Sequence, residues 1–161
     1  MRILTALRNW IFITHHCSYA YNYEEIMKRT LIKRRPKTIL EWGSGRSTML
    51  MRKLCPNAEI HSIEDDLRWF LRWKIGIKNV NLHYIPLDRY SNPDFPNGYF
   101  DFIFIDGENE KRVDCMKSSL KLLKDGGLLM MHDSEVEEYR RWFNLFDFIE
   151  ENNHTVLLKK T

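Results

Sequence analysis

The apolar positions of this 161-residue chain fall into short blocks whose spacing switches between two and about 3.6 residues, the pattern of strands alternating with helices. Ile26, Met27 and Leu31 mark the inner side of a helix that opens at the capping pair Asn22 and Glu25. It stops near Arg35, because Pro36 disfavours helical geometry before it. Thr38, Ile39 and Leu40 predict a strand that runs into the turn Gly43-Ser44-Gly45, and Ser47 to Leu54 has helix-compatible composition before Pro56. Glu59 to Glu64 alternates about Ile60 and Ile63 as a second strand. An acid-capped helix follows from Asp66 to Ile75 and is ended by Gly76. Val80 to Pro86 is a third strand, and Leu87 to Gly98, with Asn92, Pro93, Pro96 and Asn97, is a loop suited to ligand contact.

The second half continues the alternation. Phe100 to Ile105 is almost unbroken apolar sequence with Asp106 directly after it, as in a buried parallel strand. Val113, Met116, Leu120 and Leu123 give one apolar face of a helix closed by Asp125-Gly126-Gly127. Leu128 to Met131 is a fifth strand that ends in His132-Asp133-Ser134-Glu135, a charge-rich helix spans Val136 to Phe143, and Phe146 to Lys160 reads as two strands turned at Asn152-Asn153. Such an order implies one domain built on a mostly parallel sheet covered on both faces, with right-handed crossovers. Residues 1–36 form an N-terminal helical segment and residues 37–161 the core.

Composition narrows the setting. Three cysteines, Cys17, Cys55 and Cys115, match no disulfide or zinc framework, which points to a reducing, cytoplasmic location. The apolar run at the N-terminus is interrupted by Arg8 and Asn9 and reads as a short amphipathic helix packed on the domain, not as a signal peptide. No run reaches the roughly eighteen residues of a membrane helix. A net charge of +3 is concentrated in Lys28, Arg29, Lys33, Arg34, Arg35 and Lys37. A solvated helix face accounts for it more simply than a nucleic-acid patch, though nucleic acid stays open as a partner. His15, His16 and Cys17 lack a second ligand pair at metal spacing and read as a polar loop.

In a parallel sheet of this kind ligands bind outside the carboxyl ends of the strands, at the topological switch point. The polar residues obey that rule together: Glu41 with Gly43 and Gly45, then Glu64-Asp65-Asp66, Asp88, Asp106, and His132-Asp133 each follow a predicted strand. Glu41, standing before the glycine turn, would repel a pyrophosphate and favours a zwitterionic or cationic ligand.

From Thr38 to Lys160 the chain resembles the class I S-adenosylmethionine-dependent methyltransferases, through Glu41-Trp42-Gly43-Ser44-Gly45-Arg46-Ser47-Thr48, Ser62-Ile63-Glu64-Asp65-Asp66, Phe100 to Gly107 and Leu123 to Glu135. Within them it is similar to a group of small methyltransferase domains of mostly unassigned substrate. The resemblance implies a Rossmann-like α/β three-layer sandwich with a mostly parallel seven-stranded sheet, the last strand antiparallel, and S-adenosylmethionine as cofactor. It implies cofactor binding by Glu41, Trp42, Gly43, Ser44, Gly45, Ser47, Thr48, Glu64, Asp65, Asp88 and Asp106. Glu41 would lie near the amino-acid moiety. Glu64, with two acceptor oxygens, suits the vicinal ribose hydroxyls. Asp88 would reach the adenine amino group or cap its loop.

The catalytic set is Asp106, His132 and Asp133, with His132 a candidate general base. Relatives that methylate catechol-type oxygens hold a divalent metal on acids at the ends of strands four and five, with an asparagine after the second; Ser134 stands in that place here, and a metal is not favoured. Tyr19, Tyr21, Tyr23 and Trp42 are candidate pocket walls, with cation–π attraction to the sulfonium as one benefit. The N-terminal segment and the loop Leu87 to Gly98 are expected to shape the acceptor site, for a small-molecule or sugar acceptor, with a homo-oligomer as an option. A nicotinamide dehydrogenase is disfavoured because Thr48 stands where its fingerprint asks for glycine. An inactive binding module of the same fold is the competing reading.

Overall fold

The computed structural model describes residues 23–161. The expectations for the N-terminal amphipathic helix, His15, His16, Cys17, Tyr19, Tyr21 and the capping role of Asn22 lie outside the described residues.

Helix α1 (Glu24–Arg34) carries Glu24 and Glu25 in its first turn and Lys33 and Arg34 in its last, the charge order that its dipole favours. It ends at Arg35, left-handed at φ 47°, whose N–H donates to Leu31 O ahead of Pro36. Then follow β1 (Thr38–Trp42), α2 (Arg46–Leu54), β2 (Glu59–Glu64), α3 (Leu67–Gly76) and β3 (Asn81–Tyr84). A loop leads to β4 (Phe100–Ile105), α4 (Arg112–Leu122), β5 (Leu123–His132), the one-turn α5 (Glu137–Arg140), β6 (Asp147–Glu151) and β7 (Thr155–Lys159).

The seven strands form one sheet in the order β3-β2-β1-β4-β5-β7-β6. The first five run parallel, and β7 is antiparallel to both of its neighbours, β5 and β6. The expected three-layer sandwich with an antiparallel last strand is therefore the fold observed. After β3 the chain crosses back to the other side of β1, so the switch point lies between β1 and β4. The continuous apolar strands divide by alternation. Ile39, Phe102, Phe104 and Met130 face α1 and α2 through Met27, Leu31 and Met51. Leu40, Ile103, Ile105 and Met131 face α4 through Cys115 and Met116. Among the described residues no helix is long and apolar enough to cross a membrane, and Cys55 and Cys115 are free and buried.

Three local expectations differ from the structure. Gly76 is the last helical residue, and α3 ends by passing into extended Ile77 without a left-handed glycine. Asp125-Gly126-Gly127 do not close α4: β5 starts directly at Leu123, and Phe100 and Phe102 of β4 face Leu123 and Leu128 of β5. Both leucines are buried, so the polar residues between them bulge outward, with Gly126 at φ 74°. The charge-rich helix shrinks to α5 and a 3-10 turn at Phe143–Leu145, because α5 buries only Tyr139 and so has little packing to extend it.

Candidate functional site

At the carboxyl edge of the sheet the turn after β1 rests on the turn after β4. Gly43, at φ 93°, donates its N–H to Ile63 O at 2.9 Å, and Asp106 N–H donates to Trp42 O at 2.9 Å. A methyl group on Gly43 would lie 2.7 Å from Gly107 Cα, so a side chain is excluded both by conformation and by space. Tyr90, fully buried in the loop after β3, backs the junction: a methyl group on Gly107 would meet its hydroxyl oxygen at 1.9 Å, and its carbonyl accepts the Trp42 indole N–H at 2.9 Å.

Glu41 lies beneath this turn with no exposed surface. Ser47 Oγ donates to its Oε1, and Thr48 Oγ1 and Ser62 Oγ donate to its Oε2, the last at 2.6 Å. Thr48 Oγ1 in turn accepts Gly45 N–H at 2.8 Å, so the hydroxyls tie the first turn of α2 to β1 and β2. Burial pushes the Glu41 carboxyl up, and the three hydroxyl donors limit the rise to about 7. One acceptor position of the carboxylate is left for a ligand or a water.

Glu64, at the end of β2, is 6% exposed. Its Oε2 accepts Ser44 N–H at 3.1 Å and Ser44 Oγ at 3.0 Å, and its Oε1 accepts the N–H groups of Asp65 and Asp66 at 3.2 and 3.1 Å. Burial raises its pKa against these donors. Asp65 is half-buried beside it, while Asp88 is exposed in the turn that leads to Tyr90. Trp69 of α3 adds a clamp, its indole N–H donating to Ser44 O at 2.6 Å.

The third group joins the ends of β4 and β5. His132 Nδ1 lies 3.1 Å from Asp106 Oδ1 and 3.2 Å from Asp133 Oδ1. Arg112, the first residue of α4 and 5% exposed, spans the same pair: Nη1 donates to Asp133 Oδ2 at 2.7 Å and to His132 O at 3.1 Å, Nη2 to Asp106 Oδ1 at 3.3 Å, and Nε to Gly107 O at 3.0 Å. Asp133 takes the left-handed conformation at φ 55°, which acidic residues tolerate better than most and which turns the chain off β5. Burial alone would lower the His132 pKa, but the hydrogen bonds and charges of Asp106 and Asp133 outweigh it and lift the value to about 9. The His132 hydrogen bond, with Arg112, holds Asp133 below the usual carboxylate range against burial. With His132 protonated, two half-buried carboxylates meet two buried cations.

Tyr23, the residue before α1, closes this group, its ring edge-on to His132 at 5.5 Å and tilted against Phe104 at 5.1 Å. Burial raises its phenol pKa, with the charges of Asp106 and Glu41 adding to it, which places the ring between the two acid clusters.

Asp106, His132 and Asp133 offer donor atoms within 4.8 Å of one another, the one such group of metal-binding side chains among the described residues. The donors suit a divalent ion in type, but the Arg112 fork already engages both carboxylates. An ion there would displace a buried guanidinium, so the arrangement as it stands does not fit a metal.

The structure thus brings Glu41, Trp42, Gly43, Ser44, Gly45, Ser47, Thr48, Glu64 and Asp65 around one turn and Asp106, His132 and Asp133 around one guanidinium, while Asp88 stands apart on the surface. Sequence reasoning missed Arg112 and Tyr90, and took Gly107 only as the end of a motif. An arginine six residues after the strand-end Asp106, at the start of an otherwise apolar helix face, was the available signal for the first. Tyr90 carried none.

The sequence matches the model of a family described as methyltransferase domain over residues 40–134, more than half of the chain. No curated protein matches it in sequence. Among solved structures it is similar to the methyltransferase PaMTH1 of Podospora anserina, bound to SAH (TM-score 0.68, 17% identity, 96% of this chain and 87% of that one). It is similar also to a Staphylococcus aureus protein provisionally assigned as a caffeoyl-CoA O-methyltransferase (TM-score 0.71, 17% identity, 98% and 91%). A third is the N-methyltransferase NodS of Bradyrhizobium japonicum WM9, in complex with S-adenosyl-L-homocysteine (TM-score 0.63, 11% identity, 91% of each). At these identities the likeness is one of fold, and it is the family match, running from β1 through the Asp133 turn and so enclosing all three polar groups, that decides: the chain belongs to the methyltransferase-domain family.

Proposed function

We propose that the chain transfers the methyl group of S-adenosylmethionine to an oxygen or nitrogen of a small-molecule acceptor. The observation that carries this reading is the adjacency, at the switch point, of a side-chain-free junction between Gly43 and Gly107 and the polar group Asp106, His132, Asp133 and Arg112, joined by the Arg112 Nε bond to Gly107 O.

The cofactor would lie across the glycine turn. Glu64 would accept the two ribose hydroxyls by releasing Ser44 Oγ and one backbone donor, since its acceptor positions are otherwise filled. Glu41, with no exposed surface, would act on the ammonium group through its charge and through a water at its remaining acceptor position. The sulfonium is an activated donor, so the chain has only to align the acceptor behind the methyl carbon and take up one proton. When bound, the sulfonium would supply the methyl group and keep the carbon–sulfur electron pair, and the polar group of Asp106, His132 and Asp133 would take the acceptor's proton.

At neutral pH His132 is already protonated, so a carboxylate receives that proton. A carboxylate suffices for an amine or a phenol-like hydroxyl and is a weak base for an alkyl hydroxyl. A sugar acceptor would therefore be methylated faster as pH rises toward 9 and His132 becomes a base, whereas an amine acceptor would show no such rise beyond its own deprotonation.

The competing reading, a binding module without transferase activity, draws on one observation: Glu41 and Glu64 are satisfied by the chain's own donors. Methyl transfer from labelled S-adenosylmethionine to a panel of amines, phenols and sugars separates the two. Turnover with any of them supports the enzyme; cofactor binding with no turnover on the whole panel supports the module.

A further inference from the structure

At the opposite edge of the sheet, under the amino ends of β1 and β4, lies a cavity of about 420 Å³, a size in the usual range for small-ligand sites. It exists because of the β5 bulge: Gly126 and Gly127 form one wall, and at Gly126 an added methyl group would touch only Lys159 Cε, at 3.9 Å. Four cations border it, Arg34, Arg35, Lys37 and Lys124. Of its two carboxylates, Asp101 is engaged, by Lys124 Nζ at 2.7 Å and by the N–H groups of Lys37 and Thr38, while Asp125 is exposed and, among the described residues, meets only Lys160 Nζ, at 3.2 Å, so the cations outnumber the anions at the cavity by four to two.

Arg34, Arg35 and Lys37 have no carboxylate partner among the described residues, whereas Lys28 and Arg29 of the same helix pair with Glu24 and Glu150. The partial negative charge at the end of α1 accounts for one such cation, not for three. Arg35, moreover, stands in the left-handed position where glycine is the ordinary residue, at a cost of about 1 kcal/mol in backbone energy.

We propose that this cavity is a second site, which binds the phosphate groups of a small polyphosphate such as a nucleoside triphosphate. Two guanidinium groups and an ammonium group, all exposed, line it without a carboxylate partner among the described residues, and guanidinium matches phosphate geometry bidentately. The cavity admits a compact anion, where a nucleic-acid strand would need a continuous groove. It is separate from the methyl-transfer site: Asp101 and Asp106 lie at opposite ends of β4, about 17 Å apart for five residues at about 3.3 Å each.

The test is calorimetric titration of the full chain with inorganic tripolyphosphate, ATP and a single-stranded oligonucleotide at about 0.15 M salt, where surface attraction is screened beyond about 8 Å. Arg35→Gly keeps the backbone conformation of the helix end, so a loss of binding in that variant is not a loss of folding, which thermal unfolding confirms. The expected result is saturable, one-to-one binding of tripolyphosphate and ATP, weakened at least tenfold by Arg35→Gly and further by Arg35→Gly with Lys37→Ala. Tighter binding of ATP than of tripolyphosphate would assign the nucleoside part to the site as well; equal binding would assign the phosphates alone. No saturable binding by the unmutated chain, equal binding by the double variant, or binding of the oligonucleotide alone overturns the proposal.

Discussion

Single residues decide the chemistry of the carboxyl edge, and the sharpest constraint is at Gly43. Gly43→Ala combines a left-handed φ with a methyl group inside the contact distance of Gly107, so it should cost 2 kcal/mol or more in stability, read by denaturant unfolding, and abolish cofactor binding. Arg112 offers a different test. Its fork holds two carboxylates and a histidine carbonyl at once, and Lys, a single point charge, cannot. Arg112→Lys should lower methyl transfer by about tenfold or more with a smaller effect on cofactor affinity, while Arg112→Ala, which leaves two half-buried carboxylates short of one cation, should cost on the order of 1–3 kcal/mol.

Two buried titrations fix the pH response. His132 rises from an ordinary 6.5 to about 9 on folding. Its stabilising contribution is complete below pH 6.5 and is lost as pH climbs through 9. Glu41 rises from 4.5 to about 7. The folded chain thus holds the extra proton between those values, and stability falls as pH increases from 4.5 to 7. At about 1.4 kcal/mol per unit each effect amounts to a few kcal/mol at most. Unfolding free energies measured from pH 4.5 to 9.5 should lose the lower slope in Glu41→Gln, whose amide still bonds the three hydroxyls, and the upper slope in His132→Asn. A profile unchanged by either substitution would refute the assignment.

At the scale of elements, the loop between β3 and β4 is the support of the site. Tyr90 is buried under Gly107 and its carbonyl holds Trp42, while Phe95 packs edge-on against the His61 and His83 rings at 4.9 and 5.6 Å. Replacing the Tyr90 ring with Ala should cost about 3–5 kcal/mol by leaving a cavity beneath the Gly43–Gly107 junction, and Tyr90→Phe about 1 kcal/mol or less, in the same unfolding measurement. The sequence marked this loop as a ligand-contact segment from its prolines and asparagines; its anchoring role is invisible there, because an isolated aromatic in a loop carries no periodicity. The β5 bulge escaped for a related reason. Asp125-Gly126-Gly127 reads as a helix stop, and only pairing with Phe100 and Phe102 decides that Leu123 already belongs to the strand.

For the whole molecule the alternating apolar blocks were enough to give the parallel sheet, its two covered faces and the edge that gathers the acids, because each of these follows from local period and right-handed crossover. The strand-end acids were legible for the same reason. What they touch was not. Glu41, placed by its resemblance near an ammonium group, directly or through water, lies under three hydroxyls, and Asp106 and Asp133 share one guanidinium from a helix between them in sequence, a long-range pairing that spacing does not encode.

The central claim is that the turn between Gly43 and Gly107, with Glu64 beside it, binds S-adenosylmethionine. Calorimetric titration of the cofactor into the unmutated chain and into Glu64→Ala tests it most directly. One site per chain, with affinity lowered about tenfold or more in Glu64→Ala through the loss of charged hydrogen bonds, is the predicted result. No saturable binding to the unmutated chain, or the same affinity in both, would contradict it.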